Sequence, residues 1–172
     1  MNSNKRYTTQ TFKKRLDHES NASLASSRSG TPAYCDKCGA IYTEKHWVAR
    51  HFAHDSLKHS HWRPLKRTTC PACTQIREGI VGGYFVLTGK FLVKHRDEIN
   101  GLITNEEHEA YRDNPLSRIM ERRDDNGELI VETTTEHLAQ RLGHAVKKAY
   151  DGEIEYDFSH ENKVLRVHWE RN

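Results

Sequence analysis

Four cysteines stand in two pairs, Cys35-x-x-Cys38 and Cys70-x-x-Cys73, and the chain has no others. A two-residue spacing suits a tight turn that presents both sulfurs to one ion. The neighbours fit such turns: Gly39 follows the first pair and Pro71 lies inside the second. Brought together, four thiolates make the tetrahedral set that Zn²⁺ favours, with Zn–S distances of about 2.3 Å. Binding would fold a segment that has little core of its own. Cys35, Cys38, Cys70 and Cys73 are therefore the expected ligands, and Zn²⁺ the expected cofactor. Two other chemistries use the same residues. "CPAC" (70–73) resembles the dithiol of thiol oxidoreductases, but those dithiols open a helix behind a strand, and "HWRPLKRTT" predicts no hydrophobic strand before Cys70. An iron–sulfur cluster needs the same four thiolates and stays open. A Cys₄ ion has no free coordination position, so its expected role is structural and not catalytic.

Between the pairs lie 31 residues, 39–69, where a compact ribbon has about 15–20. The surplus predicts an inserted loop. It carries His46, His51, His54, His59 and His61, two tryptophans, and Lys/Arg at 45, 50, 58, 63, 66 and 67. Basic side chains neutralise phosphates, and aromatic rings stack on unpaired bases. The candidate RNA contacts are Lys45, Trp47, Arg50, Trp62, Arg63, Lys66 and Arg67, with Phe52 as a further stacking ring. Two alternatives remain: the tryptophans pack on the module, or histidines such as His51 and His54 hold a second metal. Histidine protonation below about pH 6.5 would raise the loop's charge.

Charge separates along the chain in the same sense. Residues 1–76 hold 13 Lys+Arg against 5 Asp+Glu, and residues 77–172 hold 14 against 19. A polyanion partner is expected for the first part only. Hydrophobic residues make up 35% of the chain, lean enough that a small domain needs a metal or a disulfide as a staple. No apolar run reaches bilayer length, and the basic N-terminus lacks the apolar core of a secretory signal. The expectation is a cytoplasmic protein with reduced thiols, where paired CxxC motifs bind metal more often than they form disulfides.

The elements that must position these residues form an α+β chain of three parts. Residues 1–32 are polar and Ser-rich and read as a disordered basic arm. Residues 33–78 form the Cys₄ zinc-ribbon module, and residues 79–172 a small α+β domain. In that domain "GGYFVLTG" (82–89) predicts a strand. Helical spacing follows through Phe91, Leu92, His95, Ile99, Leu102 and Ile103. Pro115 predicts the opening of a second short helix carrying Leu116, Ile119 and Met120. "DDNGE" (124–128) is a turn and "ELIVET" (128–133) a strand. Thr133–Thr135 caps a helix with an apolar stripe at Leu138, Leu142, Ala145, Val146 and Ala149, ended by Gly152. A hairpin then buries Ile154, Tyr156 and Phe158 with Leu165, Val167 and Trp169. The predicted order is strand-helix-helix-strand-helix-strand-strand.

There is no GxSxG elbow, Walker loop, HExxH or dinucleotide fingerprint, and the acidic pairs Glu106–Glu107 and Asp124–Asp125 read as solvated faces. No enzyme activity is expected.

The stretches "CDKCG", "CPAC", "GYFVLTGKFLVKHRDEI", "NPLSRIM", "TTTEHLAQRLGHAVKKAYDGEIEY" and "VLRVHWER" cover most of 35–171. They resemble a bacterial family of small CxxC…CxxC zinc-ribbon proteins regarded as relatives of the nonsense-mediated-decay, large-subunit export adaptors of archaea and eukaryotes. Those adaptors typically carry more CxxC pairs than the two here. The resemblance implies binding to the ribosome or its rRNA, contact with ribosomal proteins, and a role with idle ribosomes under stress, in hibernation or RNA stability. No membrane or small-molecule substrate is expected. The alternatives are a DNA-binding zinc-ribbon transcriptional regulator and a zinc-dependent protein-interaction adaptor.

Overall fold

The computed structural model describes residues 32–43, 45–52, 64–159 and 164–172. The N-terminal arm and the loop residues His54, Lys58, His59, His61, Trp62 and Arg63 lie outside the described residues. The chain is α+β, with two mixed sheets, as its patterning predicts.

The cysteine module is a four-stranded sheet of very short strands. β1 (Ala33–Cys35), β2 (Ile41–Thr43), β3 (His46–Val48) and β4 (Lys66–Thr68) take the order β3-β2-β1-β4. β1 and β2 are antiparallel, and the knuckle between them holds Cys38; Gly39 takes a φ of 76° that only glycine adopts without strain. β4 runs parallel to β1, which sets Cys35 beside Thr68 and delivers Cys70 to the first pair.

The second pair departs from the expected knuckle. It opens a helix, α1 (Pro71–Glu78), with Cys70 as N-cap and Pro71 in the first turn. Cys70 Sγ accepts from Cys73 N, and Gly79 ends the helix in the left-handed conformation at φ 66°. Pro71 and Gly79 are start and stop signals one helix apart. A strand, β4, also precedes Cys70 after all. It is three residues long and polar, so hydrophobic patterning could not reveal it.

The second sheet has the order β6-β7-β5-β9-β8. β5 (Gly83–Thr88) lies at its centre, parallel to β9 (Val164–Glu170) and antiparallel to β7 (Glu128–Thr133). β8 (Glu153–Ser159) pairs with β9, and β6 (Ile119–Asp125) pairs with β7. The helices α2 (Lys90–Lys94), α3 (Arg96–Asp113) and α4 (Glu136–Tyr150) fill the connections. One core unites Phe85, Leu87, Val131, Val167 and Trp169 from the sheet with Ile99 and Ile103 of α3 and Leu138, Leu142 and Val146 of α4. The amphipathic helices therefore cover one face, and no helix among the described residues covers the other. The cap of α4 is as predicted: Thr135 Oγ1 accepts from Leu138 N. The helix stops one residue before Gly152's partner in the turn, Asp151, which itself takes a positive φ.

The helix predicted behind Pro115 is a strand. Asn114 is held extended, as a residue before proline must be. Its Oδ1 accepts from Leu116 N and its carbonyl from Ser117 N, which closes a turn. β6 then runs along the sheet edge, where its charged residues are tolerated and blunt the edge. Leu116, Ile119 and Met120 mimic helical spacing by coincidence across that turn. The order of the second domain is thus strand, helix, helix, strand, strand, helix, strand, strand. No helix among the described residues is long and apolar enough to cross a membrane.

Candidate metal centre

The knuckle and the first turn of α1 bring Cys35, Cys38, Cys70 and Cys73 together, with all four Sγ atoms within 4.8 Å of one another. Cys38 Sγ and Cys70 Sγ are 3.6 Å apart, too far for a disulfide, and all four thiols are free. A tetrahedron with metal–sulfur bonds of about 2.3 Å has edges of about 3.8 Å, so the set fits one metal ion with little adjustment. Cys35 and Cys70 are buried, and Cys38 and Cys73 are half-buried.

Backbone amides point at the sulfurs, which is what thiolate charge requires. Cys70 N donates to Cys35 Sγ at 3.2 Å, and Cys73 N to Cys70 Sγ at 3.4 Å. The knuckle closes on Cys35 from both sides: Cys35 N donates to Ala40 O, and Gly39 N to Cys35 O. As bare thiols the four are unequal. The Cys70 thiol donates to Cys38 and, with the Ala40 amide, pulls Cys38 down to about 5 against its burial. Cys70 is pushed up, first by holding that proton and then by burial. Cys73 rises to about 11, chiefly through burial. Cys70 thus opens a helix behind a short polar strand, with its sulfur buried beside Cys38.

The second domain reaches into the site. Arg118, in the turn before β6, donates from Nη1 to Cys73 Sγ at 3.4 Å. Leu116 packs on the cysteine cluster. Thr134 Oγ1 donates to Leu116 O and accepts from Arg118 N, which fixes that turn. Gln75 of α1 donates to Thr134 O. The sequence does not announce the Arg118 contact, because a guanidinium 45 positions away from its thiolate carries no local pattern. Beside them a shallow cleft of about 340 Å³ is lined by Cys38, Glu107, His108, Tyr111 and Arg118. Burial pushes the Tyr111 phenol up, and the Cys38 sulfur adds to the effect.

The candidate RNA contacts divide. Lys45, Arg50, Lys66 and Arg67 are exposed on the module, as is Lys37 on the knuckle. Arg50 lies against the knuckle, its Cδ 3.5 Å from where a Cβ on Gly39 would stand. Arg67 is drawn to Asp36 at 3.3 Å, and Thr69 holds the other oxygen of that carboxylate at 3.0 Å. Trp47 is not available for stacking on a base. It is 8% exposed, tilted against Tyr42 at 5.5 Å, and packed in the core around the cysteines. A module with such short strands uses its tryptophan as core. Trp62 and Arg63 lie outside the described residues.

Fold and site together define an α+β protein with a four-cysteine metal-ligand set at the junction of its two sheets. No protein-family model, curated protein or solved structure matches the chain.

Proposed function

We propose that this chain is a non-enzymatic RNA-binding factor whose zinc-stabilised module docks on rRNA, and that it acts on ribosomes idled by stress. One observation carries the reading: exposed Lys37, Lys45, Arg50 and Lys66 belong to the same short-stranded module as the four-cysteine centre. The centre would take Zn²⁺, whose soft character and four-coordination suit this donor set. Its four sulfurs leave no position for a reacting water, so the ion holds the module and does no chemistry. Rigidly held cations track a phosphate backbone without the ordering cost of a flexible loop.

The open face of the second sheet supports a ribosomal-protein contact. Glu153, Glu155 and Asp157 are exposed along β8, and register places Glu121, Glu132 and Glu170 on the same face. Arg123, paired with Glu132 at 3.5 Å, and Arg166 share that face, and the carboxylates that outnumber them suit the Lys/Arg-rich segments of an rRNA-binding protein. The DNA-regulator alternative has less support: α1, the helix next to the basic module, is tied by Gln75 to Thr134 and by its first turn to the cysteine cluster.

Sedimentation of extracts on sucrose gradients tests the reading. Co-migration with ribosomal subunits that survives nuclease trimming is expected, and migration only at the top of the gradient would refute it.

A further inference from the structure

The four sulfurs are not equally reachable. Cys35 and Cys70 are 1% and 0% exposed. Cys73 is half-buried, takes a hydrogen bond from the Arg118 guanidinium at 3.4 Å, and does not line the cleft described above. Cys38 is the one cysteine that lines the cleft formed with Glu107, His108 and Tyr111 of α3 and with Arg118. The cleft is ample for a small polar oxidant. Cys70 Sγ, buried and not lining the cleft, stands 3.6 Å from Cys38 Sγ.

We propose that Cys38 is the modification site of this centre: a peroxide entering the cleft oxidises it, and the product is a Cys38–Cys70 disulfide with release of the ion. The electrons balance. The Cys38 thiolate attacks one peroxide oxygen, the O–O bond breaks, and hydroxide leaves and takes a proton to become water. Cys38 is then a sulfenic acid. The Cys70 thiolate attacks that sulfur, the S–O bond breaks, and a second hydroxide leaves as water. Two thiolates, one peroxide and two protons give one disulfide and two waters. The sulfurs must close from 3.6 Å to about 2.05 Å, which side-chain rotation supplies. The ion loses two of its four ligands and dissociates. The knuckle and α1 stay joined, but without the clamp that aligned the module's cations.

The inference rests on the metal reading of the site and not on the RNA reading. The test uses the full chain loaded with one equivalent of Zn²⁺. Substoichiometric hydrogen peroxide is added, free thiols are blocked with N-ethylmaleimide, and the peptides are mapped by mass spectrometry. A chromogenic chelator follows zinc release. The expected product is a Cys38–Cys70 cross-linked peptide, with one zinc released per peroxide consumed. Tyr111→Trp, which narrows the cleft beside Cys38 and replaces no ligand, should slow release severalfold at unchanged zinc content. Dominant Cys35–Cys38 or Cys70–Cys73 pairing overturns the proposal, as does an unslowed Tyr111→Trp that still loads zinc. If that variant fails to fold, the peptide map of the unsubstituted chain decides. A chain that takes up no zinc refutes the metal reading alone, because the same map on its bare thiols still shows whether Cys38 and Cys70 are the pair that forms.

Discussion

Cys70 does two jobs with one sulfur: it is a candidate ligand and the N-cap of α1. Serine caps helices well, so Cys70→Ser keeps the cap and removes a ligand. Structural zinc supplies on the order of 10–16 kcal/mol in small Cys/His peptides, and that binding energy is folding energy. The substitution should therefore drop zinc content well below one per chain and strip amide-exchange protection from β1–β4 and α1. Elemental analysis with hydrogen-exchange mass spectrometry measures both. Tyr156 gives a prediction of the opposite sign. Its hydroxyl is buried with no hydrogen-bond partner among the described residues, and burial raises its pKa above 10.0. Tyr156→Phe should be neutral or stabilising by about 1 kcal/mol, read from denaturant midpoints. The pH dependence follows from the raised value. The folded state holds this proton more tightly than the unfolded state does. Stability is thus intact below pH 10 and falls as pH climbs through the folded pKa, a loss the phenylalanine variant should lack.

Among the elements, α4 is the one that packs most closely on the sheet, and Gly143 is the reason. A Cβ there would stand 2.7 Å from Val167 Cγ1 and 2.9 Å from Ile154 Cδ1. In an isolated helix Gly→Ala is favourable by about 1 kcal/mol. Here overpacking reverses the sign, and Gly143→Ala should destabilise by roughly 1–3 kcal/mol, measured by thermal or urea unfolding. Periodicity showed α4 as a helix, but it said nothing of Gly143. What that glycine approached was decided by the β5–β9 pairing across the sheet. The signals for α1 were also present, as Pro71 and Gly79, but the two cysteines at its start suggested a knuckle. Pro115 misled in the other direction. A proline that opens a helix and one that follows an extended asparagine look alike until the downstream strand finds its partner in β7.

For the molecule as a whole, charge is sorted by unit: cations cluster on the cysteine module and carboxylates on the open face of the second sheet. If the module follows a phosphate backbone, each cation contributes about 0.7 to the salt slope on single-stranded RNA. Replacing Lys45, Arg50 and Lys66 with alanine should reduce the slope of log affinity against log salt by about 2. Fluorescence anisotropy on rRNA fragments measures it, and an unchanged slope would place the contact elsewhere. Sequence alone determined the four-cysteine set, the charge division, and the helix and hairpin of the C-terminal third. Those features follow from residue type and from local periods of 2 and 3.6, which the chain carries wherever it folds. Only the tertiary structure decided that Trp47 is core, that Arg118 and Leu116 close the centre from the second domain, and that Cys38 alone of the cysteines borders the cleft. Each of these depends on contacts between residues far apart in the chain, where packing and desolvation, and not local propensity, set the energy.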